Sequence, residues 1–131
     1  MLRDLTALAV PTGWVMLFNN FAHFEEDEEL SDDDLDHYLT QDILAMRLVS
    51  WAAGGCAEQE GALQIFLGWF PDMDPEGCCR LDLSRNGAVG ESARFESRSP
   101  NVIRNALEQC LVLGARWAED DEITDALDKL A

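Results

Sequence analysis

The sequence has few basic residues, and this shortage limits the partners that the protein can bind. Against 26 Asp and Glu there are nine Lys and Arg among 131 residues, which gives a formal net charge of -17 at pH 7. Such a field repels a phosphate backbone or an anionic membrane, so direct binding of nucleic acid or of a membrane is not expected. The expected partner is a cationic surface.

Long apolar runs are also missing from the sequence. No stretch of 18 consecutive apolar residues is present, and the first ten residues, MLRDLTALAV, have an acidic residue early and too short an apolar stretch for a secretory signal. These two absences predict a cytoplasmic protein that does not enter the membrane.

Catalytic motifs are absent as well. The chain has two histidines, His23 and His37, and neither lies in a recognisable nucleophile motif. There is no glycine-rich nucleotide loop, no H-E-x-x-H and no G-x-S-x-G. A D-x-D-x-D pattern begins at Asp32, but a calcium-binding EF-hand needs Gly and Glu where this chain has His37 and Ile43. We therefore expect no enzymatic activity and no cofactor.

The cysteines show no metal-binding spacing. The chain has four of them, Cys56, Cys78, Cys79 and Cys110. None forms a C-x-x-C pair or has a histidine at ligand spacing, and the adjacent Cys78 and Cys79 would point to opposite faces of a strand. The pattern predicts reduced thiols that pack inside the protein. A zinc site built from distant cysteines with His23 or His37 is the alternative, and no spacing supports it.

Alternating apolar residues predict a β-hairpin in the middle of the chain. Residues 63–69 and 79–83 place an apolar side chain at every second position, the period of a strand that buries one face. Between them, residues 71–77 (PDMDPEG) supply the proline, aspartate and glycine of tight turns. Further strands are predicted at residues 14–24, 42–51 and 93–97.

Two of these further strands have apolar residues on both sides. Residues 14–24 are predicted to form a central strand that is buried on both faces. Residues 42–51 would also fit a helix, but their length and the glycine pair that follows favour a strand. Residues 52–61 are small and polar and are predicted to form a mobile loop.

Capping signals predict the helices and complete the fold class. Ser99 followed by Pro100 is typical of a helix start. The residues predicted on one face of this helix are Ile103, Ala106, Leu107, Cys110, Leu113, Gly114 and Trp117. Short helices are also predicted at residues 2–10, where Pro11 and Gly13 follow, and at residues 120–130. The chain is thus predicted to be a single α+β domain, residues 1–131. It would have a mostly antiparallel sheet of about five strands, a C-terminal helix packed on one face, and short accessory helices.

The most unusual segment is an acidic run, residues 25–36, with nine carboxylates and no base. Ser31 and Asp34 resemble a capping box, so the carboxylates of residues 32–34 would stabilise the start of a short helix. No such structural reason applies to residues 25–29. Acidic runs are often only solvated loops, but this one adjoins aromatic residues that could anchor an interface.

We therefore predict that the acidic run binds a basic partner, because complementary charge raises association rates and sets specificity. The aspartates of the hairpin turn form a secondary patch, although turn closure also explains them. The predicted partner-binding residues are Glu25, Glu26, Asp27, Glu28, Glu29, Asp32, Asp33, Asp34 and Asp36, with Asp72 and Asp74 in the secondary patch.

Residues 62–117 resemble small immunity proteins of bacterial polymorphic-toxin and contact-dependent growth inhibition systems. The resemblance lies in LGWFPDMDPEG (residues 67–77), the CCRLDL strand after it, and FESRS leading into the helix NVIRNALEQCL. It implies a cytoplasmic α+β protein that binds the toxic C-terminal domain of a large exported effector, often a nuclease, and neutralises it without catalysis. We expect a monomer in a 1:1 complex with its cognate toxin domain.

An acidic type III secretion chaperone is the alternative. Such chaperones are also small α+β proteins, and they dimerise to hold an unfolded segment of an effector. A chaperone would present extended apolar grooves and dimerise through a helix or a strand, whereas the immunity protein would be monomeric.

Overall fold

The computed structural model describes residues 3–25, 28–52 and 55–131. Within these residues the chain forms six strands and three helices, which confirms the predicted α+β class with a mostly antiparallel sheet. In chain order they are β1 (Trp14–Asn19), α1 (Asp32–Tyr38), β2 (Leu44–Ala52), β3 (Gly55–Glu58), β4 (Leu63–Phe70), β5 (Cys78–Arg85), β6 (Ala93–Ser97), α2 (Pro100–Ala115) and α3 (Asp120–Asp128).

The sheet is an antiparallel meander with the order β1-β2-β4-β5-β6, and β3 also pairs with β2. Val49 of β2 lies opposite Glu58 of β3, whereas Arg47 lies opposite Gln64 of β4, so β3 and β4 follow the same side of β2. The prediction of a loop at residues 52–61 is therefore wrong for β3. Pairing with β2 supplies the hydrogen bonds that its short, polar sequence does not predict.

The predicted hairpin is confirmed as β4 and β5, and one of its faces forms the core. Leu63 and Ile65 of β4, together with Leu81 and Leu83 of β5, are fully buried. Helix α2 covers this face with Ile103, Ala106, Leu107 and Cys110, which are also fully buried. Because side chains alternate along β4 and β5, one face of these strands packs against α2 and the other faces away from it.

The prediction for residues 14–24 is wrong in both position and burial. Strand β1 is shorter and lies at the edge of the sheet, where Leu17 and Phe18 are 48% and 41% exposed. The register shifts between Met16 and Phe18, so the apolar residues of β1 do not all face the core. Trp14 does face it, because its indole nitrogen donates a hydrogen bond to the carbonyl of Leu111 in α2 at 2.9 Å.

The predicted helix at residues 2–10 is also wrong within the described residues, which begin at Arg3. The Thr6 amide donates to the Phe21 carbonyl at 2.7 Å, and the His23 amide donates to the Asp4 carbonyl at 2.8 Å. This segment therefore pairs with residues 21–23. Backbone hydrogen bonds to a distant segment outweigh a short helical pattern, because a single short helix gains little stability alone.

Helix α2 begins as predicted, with the Val102 amide donating to the Ser99 hydroxyl at 3.4 Å and Pro100 in the first turn. Its predicted apolar face is buried as far as Gly114. Trp117 was expected on that face, but it lies beyond the helix end with φ 59° and is 43% exposed. Helix α3 follows and buries Ile123 and Leu127. None of the described helices combines the length and the apolar character needed to cross a bilayer.

Candidate functional site: an acidic end of the sheet

The acidic run and the hairpin turn lie side by side at one end of the sheet. The run occupies the connection between β1 and β2, and α1 ends next to the turn between β4 and β5. The Met73 amide donates to the Leu39 carbonyl at 2.8 Å, and the Gln41 amide donates to Asp72 Oδ1 at 2.8 Å. The structure therefore brings the two predicted patches together.

The capping box predicted at the start of α1 is confirmed. The Asp34 amide donates to the Ser31 hydroxyl at 3.1 Å, and the Ser31 amide donates to Asp34 Oδ2 at 3.0 Å. Asp32 and Asp33 share the first turn, where the helix dipole favours negative charge. The helix start thus fixes the positions of three carboxylates of the acidic run.

Asp34 differs from the other acidic residues because it is buried and paired inside the chain. Arg3 Nε and Nη2 donate to its two carboxylate oxygens at 2.8 and 3.0 Å, and Arg3 also forms an ion pair with Glu28. The same guanidinium lies 4.2 Å from the centre of the Phe24 ring. Asp34 and Glu28 are therefore placed to hold the N-terminal segment on α1, which limits their availability to a partner.

This ion pair sets the charge states at the acidic end. Hydrogen bonding to Arg3 lowers the pKa of Asp34 well below its usual range, with further hydrogen bonds from Ser31. Arg3 also lowers the pKa of Glu28, and the two carboxylates raise the pKa of Arg3. All three groups are thus charged at neutral pH. Sequence reasoning missed Arg3, and no local signal marks it, because it lies 31 residues from Asp34.

The remaining predicted carboxylates have different surroundings. Asp74 Oδ1 accepts from the Glu76 amide at 2.9 Å, so it closes the turn, whereas Asp72 accepts from Gln41 and links the turn to the segment that follows α1. Glu25 Oε1 lies 3.1 Å from His23 Nε2, with both side chains exposed. Glu26 and Asp27 lie outside the described residues. We define the acidic end as the carboxylates of Glu25, Glu29, Asp32, Asp33, Asp36, Asp72 and Asp74.

The acidic end carries a cluster of negative charges, with Arg98 as a nearby cation that is bound to backbone carbonyls of the hairpin turn. In the described ranges, no Arg or Lys side chain lies within ion-pair distance of these seven carboxylates. Five arginines elsewhere already have acidic partners in the chain. These pairs are Arg47 with Glu58, Arg80 with Asp82, Arg94 with Asp82 and Glu91, Arg85 with Asp120, and Arg116 with Glu122.

A cavity of about 300 Å³ lies between the acidic run, α1 and the start of α2, and we call it the acidic-end cavity. It is partly open to solvent. Arg98 stands at its rim, where Nη1 donates to the Gly77 carbonyl at 2.5 Å and Nη2 to the Pro75 carbonyl at 3.1 Å. Its lining consists of Phe21, Ala22, Phe24, Glu25, Glu28, Leu30, Tyr38, Leu39, Ile43, Trp69, Cys79, Arg98 and Pro100.

The described thiols are held in their protonated form by burial. Burial raises the pKa of Cys79 and of Cys110 to about 12 in each case, so both are protonated at neutral pH. Burial, followed by the contact with Glu96, also raises the pKa of Cys78. The described part of the chain holds no group of three His, Cys, Asp or Glu residues that could bind a metal ion.

The acidic end therefore combines a negatively charged surface with a cavity that has apolar and charged walls. Its boundaries are set by α1, by the turn between β4 and β5, and by Arg98 at the end of β6. Comparison with known proteins finds no protein-family model, no curated protein and no solved structure that matches this chain.

Proposed function

We propose that this chain is a non-catalytic, cytoplasmic immunity protein that binds and neutralises the toxic C-terminal domain of a cognate exported effector. The observation that carries the proposal is the acidic end, whose carboxylates form no ion pair with an Arg or Lys side chain of the described residues. A nuclease domain is the partner of matching chemistry, since an enzyme that acts on a polyanion carries a basic cleft. An acidic protein can occupy that cleft in place of the nucleic acid.

The arrangement of the acidic end supports fast and specific capture. Clustered charge of one sign steers an oppositely charged partner and raises the association rate, with a strong dependence on salt. The capping box and the Asp34–Arg3 ion pair hold α1 in place before binding. Such preorganisation reduces the conformational entropy that binding would otherwise cost.

Charge reversal at the acidic end should slow binding of the toxin domain. We expect the double variant Glu29→Lys/Asp36→Lys to associate about tenfold or more slowly at low ionic strength, with a weaker dependence on salt. Both residues are exposed, and a lysine at position 36 suits the last turn of α1, so the fold should tolerate the change. The toxin domain for this test is the C-terminal domain of the large exported effector, which we expect the reading frame immediately upstream to encode. Stopped-flow fluorescence then measures the association rates.

A matched control separates local from global charge. Asp125→Lys/Asp128→Lys changes the net charge by the same amount on exposed positions of α3. Helix α3 begins where Asp120 binds Arg85, at the end of β5 opposite to the turn. The control should therefore slow association much less. Equal slowing by both variants would argue against an interface at the acidic end, and failure of the wild-type protein to bind would reject the proposed function.

A type III secretion chaperone is a second candidate, which the exposed apolar residues Met16, Leu17 and Phe18 of edge strand β1 favour. A chaperone would use such a strand to dimerise. For the immunity protein we expect light scattering to give the mass of one chain, 14.6 kDa. A stable dimer across a range of dilutions would favour the chaperone instead.

A further inference from the structure

We propose that the acidic-end cavity is the anchoring pocket of the interface and receives a protruding aromatic side chain of the toxin domain, flanked by a lysine or arginine. The biological role of the pocket rests on the proposed function. Its chemistry rests on the size, the walls and the rim charges of the cavity.

The cavity has the size of an aromatic side chain. The cavity, about 300 Å³ and partly open to solvent, lies at the lower end of the size range of ligand pockets in proteins. A cavity of about 150 Å³ already holds benzene, so this one accommodates a tryptophan, tyrosine or phenylalanine ring. Its floor is apolar and fixed, since Phe21, Leu39 and Ile43 are at most 4% exposed.

The walls offer aromatic contacts in a held arrangement. Phe24 and Tyr38 meet edge to face, with ring centres 5.9 Å apart and planes at 75°. Arg3 fixes both rings, because its guanidinium covers Phe24 and its amide donates to Tyr38 Oη at 2.7 Å. Trp69 is fixed by a hydrogen bond of 2.6 Å from its indole nitrogen to the Asp74 carbonyl. An entering ring would pack against Phe24, Tyr38 and Trp69, which all line the cavity.

The charges at the rim decide what flanks the ring. Glu25 is 78% exposed on its side chain, and in the described part of the chain its carboxylate has only His23 as a hydrogen-bond partner, whereas the Glu28 carboxylate is paired with Arg3. Arg98 lies near the ring of Trp69, at 6.0 Å, and is engaged by two carbonyls. A cation next to the ring is therefore attracted to the Glu25 side and repelled from the Arg98 side. This asymmetry gives the pocket an orientation as well as a preference for basic sequences.

Three capped tripeptides test the pocket directly on the ¹⁵N-labelled full chain: Lys-Trp-Lys, Lys-Ala-Lys and Glu-Trp-Glu. We expect Lys-Trp-Lys to shift the NMR signals of the Trp69 indole and of the Leu30 and Ile43 amides. Lys-Ala-Lys should bind roughly tenfold to a hundredfold more weakly, because it lacks the buried ring. Equal affinity for the alanine peptide, or equal or tighter binding of Glu-Trp-Glu, would overturn the proposal.

Two variants of the full chain test the same pocket without relying on one substitution. Leu30→Trp places a large side chain on the cavity wall and should abolish the Trp69 shifts, whereas Val112→Trp on the exposed side of α2 should leave them unchanged. Glu25→Gln changes only an exposed rim charge and should weaken Lys-Trp-Lys binding by up to roughly fivefold. Unchanged binding in both Leu30→Trp and Glu25→Gln would contradict the pocket.

Binding of the toxin domain separates this proposal from the proposed function. If charge reversal at Glu29 and Asp36 slows association but Leu30→Trp binds the toxin domain as tightly as wild type, the immunity function stands and the anchoring pocket is rejected. If the toxin domain does not bind while Lys-Trp-Lys still shifts Trp69, the pocket chemistry stands and the immunity function is rejected.

Discussion

Asp34→Ala is expected to lower the free energy of unfolding by about 2 to 3 kcal/mol. The substitution removes both oxygens that accept from Arg3 and the half of the capping box that accepts from Ser31. It also leaves the Arg3 guanidinium with Glu28 as its remaining carboxylate partner in the described chain. The Arg3 side chain is 23% exposed, so water limits the loss relative to a fully buried pair. Urea denaturation followed by tryptophan fluorescence measures the effect.

The neighbouring aspartate provides the control for Asp34. Asp33 lies in the same turn of α1 but is exposed, and it contributes mainly through the helix dipole. Asp33→Ala should therefore cost less than about 1 kcal/mol. Equal losses of unfolding free energy for the two variants would show that the Asp34–Arg3 ion pair adds nothing to stability. Another interaction would then have to hold the N-terminal segment against α1.

The same ion pair predicts a loss of stability in acid. Arg3 lowers the pKa of Asp34 and of Glu28 in the folded protein, so the unfolded chain takes up protons first as the pH falls. The contribution of these carboxylates is therefore complete above the pKa of an unfolded aspartate, about 3.9, and is lost progressively at lower pH. The urea midpoint of wild type should fall more steeply between neutral pH and acid than that of Asp34→Ala.

Gly68→Ala is the second substitution with a large expected effect, a loss of about 2 to 3 kcal/mol in the free energy of unfolding. A Cβ atom at this position would lie 2.2 Å from the Gln41 carbonyl oxygen and 2.8 Å from Phe70 Cε2. The first contact is with backbone, so the segment leading from α1 into β2 would have to move. That movement would also disturb the hydrogen bond from Gln41 to Asp72.

Gln64→Ala is the matched control for Gly68, because both residues lie on β4 and face away from α2. Gln64 is half-buried and makes one long hydrogen bond, 3.5 Å, with the Ser84 hydroxyl. We expect a change within about 0.5 kcal/mol for this variant. Thermal and urea unfolding of the two variants side by side would contradict the steric account if Gly68→Ala were as stable as Gln64→Ala.

The parts of the fold that depend on neighbouring residues could be predicted from the sequence. The alternation along β4 and β5 comes from side chains two residues apart, and the caps at Ser31 and Ser99 act on amides three residues later. All residues that define the alternation or the cap lie within a few positions of one another, so the sequence alone shows them. Gly68 is a partial case: a glycine inside a strand indicates a close approach of backbone, but the approaching segment cannot be named from sequence.

The errors occur where distant segments decide the structure. Residues 4–6 pair with residues 21–23, and β3 forms by pairing with β2. Strand β1 has the apolar content of a central strand, but its place at the edge follows from the order of the whole sheet. In each case, local propensity is weaker than the hydrogen bonds and burial that the tertiary structure supplies.

The same distinction applies to the candidate site. The acidic run could be identified from the sequence by its composition. The sequence does not show that Asp34 is paired while Asp32 and Asp33 are exposed, because this difference depends on the position of Arg3 in the fold. The acidic-end cavity was not predictable, because its walls come from four separate parts of the chain, which meet around Phe24 and Trp69.

The single long connection in the described meander has an evolutionary consequence. The acidic run and α1 fill the stretch between Asn19 and Leu44, whereas the other strands follow one another through short turns. Surface connections tolerate insertions and substitutions far better than the paired strands that they join. Substitutions and insertions in this connection would therefore reshape the acidic end while the paired strands of the β4–β5 hairpin keep their structure.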